Sequence, residues 1–179
     1  MVYVLLGTGF EEMEAIAPID LLRRAEIPVL TVGVDGKAVT GSHGITVEAD
    51  ITLDQMDLTD LEMIVLPGGL GGVATARSSQ PALDALRFAY ENDKYVAAIC
   101  AGPTVLAELG IIGSRRATCY PGCENAMGDA FILEEACVTA DKVITGASAG
   151  CAIPFALALI MALKGADEAD RIAKQIVIR

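Results

Sequence analysis

The stretch Lys94-Tyr-Val-Ala-Ala-Ile-Cys-Ala-Gly-Pro-Thr104 decides both the fold and the candidate site. Its apolar run, residues 96–99, is too short for a helix and is typical of a buried strand. Pro103 suits the first turn of a following helix, so Cys100 is expected on a tight turn from strand to helix. A helix N-terminus lowers the pKa of a thiol, which would make Cys100 a nucleophile on an elbow. The alternative is an inert cysteine buried in the core.

Strand and helix patterns alternate along the chain. Apolar runs predict strands at residues 2–6, 29–34, 63–66, 96–99 and 142–145, a hairpin at 39–47, and helices at 15–25, 83–92, 104–109, 151–163 and 167–176. The strands are apolar on both faces, as in a parallel sheet covered by helices. We therefore predict an α/β fold, a doubly wound sandwich with a mostly parallel sheet, in a single domain over residues 1–179.

Composition excludes several classes of function. The formal net charge of −11 argues against a nucleic-acid partner, because phosphate binding needs clustered Lys and Arg. The longest apolar stretch, residues 151–163, is too short to span a bilayer, and no basic segment of a signal peptide precedes the first strand. Five cysteines in a chain with a large core indicate a reducing, cytoplasmic setting. A single histidine leaves no usual zinc-ligand set, so no metal site is expected.

Four unusual segments each follow a predicted strand. They are residues 7–14, 67–72, 100–103 and 146–150. In doubly wound folds the site lies at the carboxyl ends of the strands. We therefore expect these four segments to converge around Cys100.

Glu14 is the candidate partner of Cys100. Glu11, Glu12 and Glu14 all lie where the first strand gives way to a helix, and carboxylates commonly complement the helix dipole there. Glu14 differs because it shares a side with the apolar residues of that helix and should point inward. A buried carboxyl has a raised pKa, so a protonated Glu14 would donate to a Cys100 thiolate and move protons in covalent chemistry.

Backbone donors are expected beside the sulfur. The segment Pro67-Gly-Gly-Leu-Gly-Gly72 reads as a turn, or as backbone that approaches the sulfur closely and offers N–H groups to an oxyanion. The candidate donors are Gly68, Gly69 and Ala101. His43, the single histidine, lies at a predicted hairpin tip, where a surface position is the ordinary expectation.

These motifs together resemble those of a known family. Gly-Phe-Glu-Glu-Met-Glu14, Pro-Ile-Asp-Leu-Leu-Arg-Arg-Ala25, Val-Leu-Pro-Gly-Gly69 and Ala-Ala-Ile-Cys-Ala-Gly-Pro103 are similar to motifs of the ThiJ/PfpI superfamily, within it the DJ-one-like branch. The resemblance implies a flavodoxin-like fold, a homodimer, a reactive and oxidation-sensitive Cys100 with Glu14 as its protonated partner, and Gly68 and Gly69 beside the sulfur. It also implies that no metal or organic cofactor is needed.

Three segments depart from the pattern of the family. Tyr120 stands where many members have a histidine after the elbow, which removes the base that a peptidase would need. Ala147 and Ser148 lie in a loop where close relatives carry a long polar side chain. His43 stands where relatives often have an arginine, and the hairpin tends to reach the partner's site in the dimer. Tyr120, Ala147, Ser148 and His43 are therefore candidate pocket residues.

Two classes of function fit the resemblance. The first is a glyoxalase or deglycase of the response to oxidative and carbonyl stress, which handles small α-oxoaldehydes or glycated proteins through Cys100. The second is a non-enzymatic redox sensor or chaperone that uses a Cys100 sulfinate. Both need the same thiol, so the sequence does not separate them, whereas a peptidase or amidotransferase needs a base that is not evident.

Overall fold

The computed structural model of the protein describes residues 1–178, which form eleven strands and six α-helices. The strands are β1 (Val2–Leu6), β2 (Val29–Gly33), β3 (Ala38–Thr40), β4 (Thr46–Glu48), β5 (Ile51–Thr52), β6 (Met63–Leu66), β7 (Tyr95–Ile99), β8 (Arg116–Ala117), β9 (Phe131–Ile132), β10 (Cys137–Ala140) and β11 (Val143–Gly146). The helices are α1 (Glu12–Arg24), α2 (Leu70–Ser78), α3 (Gln80–Glu91), α4 (Pro103–Glu108), α5 (Ala152–Lys164) and α6 (Ala166–Gln175).

A seven-stranded sheet forms the middle layer, in the order β10-β11-β7-β6-β1-β2-β5. All its pairings are parallel except that of β10 with β11. β3 and β4 form the predicted hairpin, and β8 pairs with β9. From β1 the sheet extends through β2 to β5 on one side. On the other side it extends through β6 and β7 to β11 and β10. Crevices of doubly wound folds open between such strands, at their carboxyl ends.

Helices cover both faces of the sheet, as predicted. β1, β6 and β7 are almost wholly buried, because their alternate side chains enter two different cores. One core is shared with α1, α5 and α6, and the other with α2, α3 and α4. Apolar residues on both faces of a strand are required by this arrangement. Within residues 1–178, no helix has the length and apolar character needed to cross a membrane.

The predicted start of α1 is wrong, and of the two alternatives for the Gly-rich segment the simple turn does not hold. α1 begins at Glu12 rather than at residue 15, and Pro18 therefore lies inside the helix. Proline has no N–H to donate. The carbonyl of Glu14, four residues before Pro18, therefore lacks its helical hydrogen-bond partner. The Gly-rich segment is not a simple turn either. Gly69, at a φ of +85°, precedes α2, and Gly72 lies within that helix. A Cβ on Gly72 would come 2.6 Å from the Phe10 Cα, so glycine permits this close approach.

Candidate active site around Cys100

Cys100 occupies the predicted elbow. It follows β7 directly and has a φ of +65°, which is rare for a residue with a side chain. Its N–H donates to the Gly146 carbonyl at 2.9 Å, and the Gly102 N–H donates to the Ile99 carbonyl at 2.9 Å. These bonds hold the turn against a backbone strain of about 1–3 kcal/mol. A strained residue fixed at the end of a strand is common at functional sites.

Backbone N–H groups lie near the thiol of Cys100. Those of Ala101 and Gly69 act to lower its pKa, against the larger effect of burial. The side chain is partly exposed, so a small molecule can reach the sulfur from solvent. The two N–H groups can therefore stabilise negative charge on the sulfur or on an oxygen bound to it.

Glu14 lies against Cys100 and is fully buried. Its Oε2 accepts a 2.9 Å hydrogen bond from the Gly68 N–H, whereas its Oε1 has no hydrogen-bond partner within residues 1–178. The prediction that Gly68 donates to the oxyanion is therefore wrong, since its N–H is committed to the carboxyl group. A Cβ on Gly68 would clash with Glu14 Oε2 and lie 2.6 Å from the Cys100 Cβ. Glycine is thus what allows the carboxyl group and the thiol to meet.

Burial controls the ionisation of both groups. It raises the pKa of Glu14 to about 7, against the opposing hydrogen bonds from Cys100 and Gly68. Burial, the charge of Glu14 and the hydrogen bond with Glu14 raise the pKa of Cys100 to about 12. This direction is opposite to the predicted lowering of the thiol pKa. The dipole of α4, a helix of six residues, is outweighed by desolvation and by the carboxylate.

The two groups titrate as a pair. The first proton leaves near neutrality, and the charge that remains opposes loss of the second. The raised pKa of Cys100 describes the pair with Glu14 ionised, because the carboxylate is one of its causes. Near neutral pH the site therefore combines a thiol with a carboxyl group that readily gains or loses a proton.

The structure brings only some of the other candidates to the sulfur. The backbone of Tyr120 lies beside the elbow, because its N–H donates to the Cys100 carbonyl at 2.8 Å, and its side chain is half exposed. Ala147 and Ser148 follow Gly146 in the loop beside the elbow. The Ser148 hydroxyl, however, donates to the Cys151 sulfur at 3.6 Å. The loop thus borders the site without a charged side chain at residues 147 and 148.

His43 belongs to a different cluster. Its Nδ1 lies 3.0 Å from Glu12 Oε2 and 3.6 Å from Glu11 Oε2. The hydrogen bond with Glu12 and the charges of Glu11 and Glu12 raise the pKa of His43. Hydrogen bonds to His43 and Ile45 outweigh desolvation and lower the pKa of Glu12 to about 2.

One support of the elbow escaped the sequence analysis. The buried Thr104 hydroxyl donates to the Ala101 carbonyl at 2.7 Å and accepts a 2.9 Å bond from the Arg77 guanidinium. Arg77 also donates to Glu108 at 2.8 Å, at the other end of α4. These bonds tie α2 to the helix that follows the elbow. Nothing in the sequence near Arg77 signals this contact, because Thr104 is 27 residues away.

Comparisons with known proteins show which family the chain resembles. The sequence pattern of the DJ-1/PfpI family matches residues 1–162. Protein dj-1beta of Drosophila melanogaster is 34% identical over 178 residues, which cover 98% of this chain and 95% of that protein. Deglycase PYRAB04690 of Pyrococcus abyssi is 31% identical over 131 residues, which cover 73% of this chain and 78% of that protein.

Solved structures are similar as well. The crystal structure of Drosophila DJ-1beta superposes with a TM-score of 0.94 at 34% identity, covering 99% of this chain and 97% of that one. Oxidized DJ-1 of Toxoplasma gondii gives a TM-score of 0.94 at 32% identity, covering 98% and 97%. The flavodoxin-like fold, the order of the motifs and these matches lead to one conclusion: the chain belongs to the DJ-1/PfpI family.

Proposed function

We propose that this protein is a cysteine-dependent enzyme that acts on small α-oxoaldehydes or on their early adducts with proteins. The nucleophile is Cys100, and Glu14 moves the protons. One observation carries the proposal: a fully buried carboxyl group, whose pKa burial raises to about 7, lies against the thiol on the elbow. A proton-transfer group works best when its pKa is close to the working pH.

The chemistry uses only groups at this site. The Cys100 sulfur attacks the aldehyde carbon, a C–S bond forms, and the thiol proton passes to the Glu14 carboxylate. Protonated Glu14 then gives this proton to the aldehyde oxygen, which yields a hemithioacetal. Glu14 next takes the proton from the former aldehyde carbon, while the hydroxyl proton on that carbon moves to the neighbouring carbonyl oxygen. Glu14 returns its proton to the neighbouring carbon, which leaves a thioester of a 2-hydroxy acid. Water hydrolyses the thioester and frees the thiol, so no external oxidant or reductant is consumed.

The oxygen that becomes negative during attack needs donors. The N–H groups of Gly69 and Ala101 lie near the thiol, whereas that of Gly68 is occupied by Glu14. Fixed donors aimed at developing charge are among the largest contributions to catalysis. An aldehyde is reactive enough for this site, but a peptide amide also needs a strong acid for its leaving amine. Tyr120, beside the elbow, is a poor acid for that purpose, so we do not propose a peptidase.

The test is consumption of methylglyoxal without glutathione. We expect turnover in the wild type and in Cys123→Ser, a matched control at another partly exposed cysteine. Cys100→Ser should be inactive, and Glu14→Gln should lower kcat by about 10²–10⁴-fold. Deglycation is followed separately, as release of free amine from a glycated peptide. Equal turnover by wild type and Cys100→Ser would reject the proposal, as would cleavage of an unmodified peptide that depends on Cys100.

A second candidate function is a redox sensor or chaperone without an enzymatic cycle. It rests on the partial exposure of Cys100 and on the hydrogen-bond donors around its sulfur. Two molecules of peroxide would convert the thiol to a sulfinate and two of water, and protonated Glu14 could donate to the sulfinate oxygen. Stoichiometric sulfinate at Cys100 without methylglyoxal turnover would favour this function over the first.

We also propose a homodimer and a cytoplasmic location. Exposed apolar side chains from α1, the β3–β4 hairpin, α5 and the C-terminal segment line one groove: Met13, Ile16, Ile45, Ile153, Val177 and Ile178. A continuous apolar surface of this kind commonly marks a protein interface. Its proposed occupant is a second copy of the chain. The cytoplasmic location rests on five free cysteines, which persist best in a reducing compartment.

A further inference from the structure

Two helices follow the backbone donors of the site. Gly69 directly precedes α2, and Ala101 lies in the elbow, two residues before α4 begins at Pro103. The N–H groups of Gly69 and Ala101 both act to lower the pKa of the Cys100 thiol, so both favour its negative form. Two donors stabilise one charge together only if both reach the same atom. The placement of α2 against α4 therefore decides how well this pair of donors works.

Arg77 joins the C-terminal end of α2 to α4. Its Nη2 donates to the Thr104 hydroxyl at 2.9 Å, and its Nε donates to Glu108 Oε2 at 2.8 Å. Thr104 and Glu108 are the second and the last residue of α4, so one guanidinium spans nearly the whole helix. Among residues 1–178, these are the side-chain hydrogen bonds that connect α2 with α4. Arginine suits this position because its planar fork holds two acceptors in a fixed geometry.

The connection continues from Thr104 into the elbow. Thr104 is buried, and its hydroxyl donates to the Ala101 carbonyl at 2.7 Å. The hydrogen bonds thus run in one direction, from the charged guanidinium through the hydroxyl to the carbonyl, and each strengthens the next. Ala101 is held at its carbonyl, while its N–H lies near the thiol. A change at Arg77 therefore reaches a donor of the site through a single hydroxyl group.

We propose that Arg77 is a positioning residue for the reaction at Cys100. Through Thr104 it holds Ala101 and sets α2 against α4, so that the N–H groups of Gly69 and Ala101 meet the same developing negative charge. The effect of Arg77 on turnover rests on the proposed function. Its effect on the ionisation of the thiol does not, and can be measured without any substrate.

The alternative role of Arg77 is that of an ordinary surface ion pair. The side chains of Arg77 and Glu108 are 41% and 49% exposed, and such pairs contribute little to stability. In that role, loss of the guanidinium would leave the thiol unchanged. Positioning predicts instead that the thiol ionises less readily, because its donors no longer converge. It also predicts a lower kcat at constant KM, because the donors act on an oxyanion that forms only in the transition state.

The experiment measures how fast iodoacetamide alkylates Cys100 at a fixed pH below the thiol pKa of about 12. Arg77→Met keeps most of the side-chain length and removes both hydrogen bonds. Its alkylation rate should fall at least about threefold, because only the thiolate reacts. Thr104→Val removes the hydroxyl but keeps the charge of Arg77, and it should give the same fall. The double variant should be no slower than either single one, since both remove one connection.

Turnover of methylglyoxal is the second readout. The kcat of Arg77→Met and of Thr104→Val should fall about tenfold, less than the roughly 10²–10³-fold that loss of a whole oxyanion donor costs. Arg77→Lys keeps the charge without the fixed fork and should lie between Arg77→Met and the wild type. Arg87→Met is the matched control, because Arg87 is 44% exposed and pairs with Asp84 on its own helix. Glu108→Gln removes the ion pair but leaves the bond to Thr104. Both should behave as the wild type does.

Unchanged alkylation in Arg77→Met and Thr104→Val would overturn the inference, whether or not the protein consumes methylglyoxal. So would an equal fall in Arg87→Met or Glu108→Gln, which would assign the effect to surface charge. A higher KM at constant kcat would make Arg77 a substrate-binding residue instead. An inactive wild type would reject the proposed function and leave alkylation to decide this inference. Thermal transitions show which variants fold, and Arg77→Met and Arg77→Lys, at an exposed side chain, decide the result if Thr104→Val does not.

Discussion

The Gly68 N–H donates a 2.9 Å hydrogen bond to Glu14 Oε2, and this bond joins the end of β6 to the first turn of α1. It holds one carboxyl oxygen in place, while the other, Oε1, remains buried without a hydrogen-bond partner among residues 1–178. A buried acceptor without a donor disfavours the carboxylate and favours the protonated acid. The contact therefore fixes the position of Glu14, whereas burial raises its pKa against this hydrogen bond.

Gly68→Ala should disrupt this contact. The added Cβ would clash with Glu14 Oε2 and lie 2.6 Å from the Cys100 Cβ, so both side chains must move. We expect a loss of about 1–3 kcal/mol in the free energy of unfolding, measured by urea denaturation. Gly150→Ala adds the same methyl group where the nearest atom is 3.9 Å away and should change stability little. Equal stability of Gly68→Ala and wild type would show that the site is less tightly packed than described.

Stability should depend on pH through Glu14. Its pKa is about 7 in the folded chain against an ordinary value of 4.5, so the folded state binds its proton more tightly. Protonated Glu14 therefore stabilises the folded state. This stabilisation is complete below pH 4.5, declines as the pH rises from 4.5 to 7, and is absent above 7. Between these two pH limits, the contribution of Glu14 to the free energy of unfolding changes by an amount of the order of 3 kcal/mol.

Glu14→Gln removes this titration and provides the comparison. The difference in free energy of unfolding between wild type and Glu14→Gln should change across pH 4.5–7, in favour of the wild type at the acid end. Glu12 acts in another window, since its pKa is about 2 and its stabilisation is lost only as the pH falls from 4.5 toward 2. A difference that stays constant between pH 4.5 and 7 would mean that the pKa of Glu14 is not raised.

The long buried strands and the elbow could be predicted from sequence for a simple physical reason. Strands such as β1, β6 and β7 are buried on both faces, so nearly every residue in them is apolar. Gly102 and Pro103 after Cys100 signal an abrupt change of direction. The two-residue strands β5, β8 and β9 carry no such signal, because so few residues show no periodicity. Sequence patterns carry local information only. A strand of two residues forms because of the strand it pairs with, which the local sequence does not show.

The details of the site depend on contacts between distant residues. Gly68 and Glu14 are 54 positions apart, and His43 and Glu12 are 31 apart. No local sequence pattern indicates that the Gly68 N–H donates to a carboxyl group rather than to the sulfur. The thiol pKa was misjudged for a related reason: a helix N-terminus is visible in the sequence, whereas burial and a facing carboxylate are not. Sequence patterns therefore indicated which residues meet but not which proton each one holds.

The apolar groove should hold a second copy of the chain. Light scattering at micromolar concentration should give the mass of a dimer for the wild type. Ile45→Asp places a charge on a side chain that is 58% exposed in the groove and should give a monomer. Phe131→Asp is the control, because Phe131 is 63% exposed on β9, outside the groove. A monomeric wild type, or a dimer that Phe131→Asp disrupts and Ile45→Asp does not, would reject this assignment.

The reactivity of Cys100 should respond to Glu14 in a definite direction. Burial raises the thiol pKa to about 12, and the charge and hydrogen bond of Glu14 contribute to the rise. Glu14→Gln removes the charge but leaves the burial, so the pKa of Cys100 should fall and its alkylation by iodoacetamide should begin at lower pH. Cys137 is an internal control in the same digest, because burial and the charges of Cys151 and Glu135 raise its pKa to about 12. A higher pKa in Glu14→Gln would instead place the proton on Glu14 and the negative charge on the sulfur.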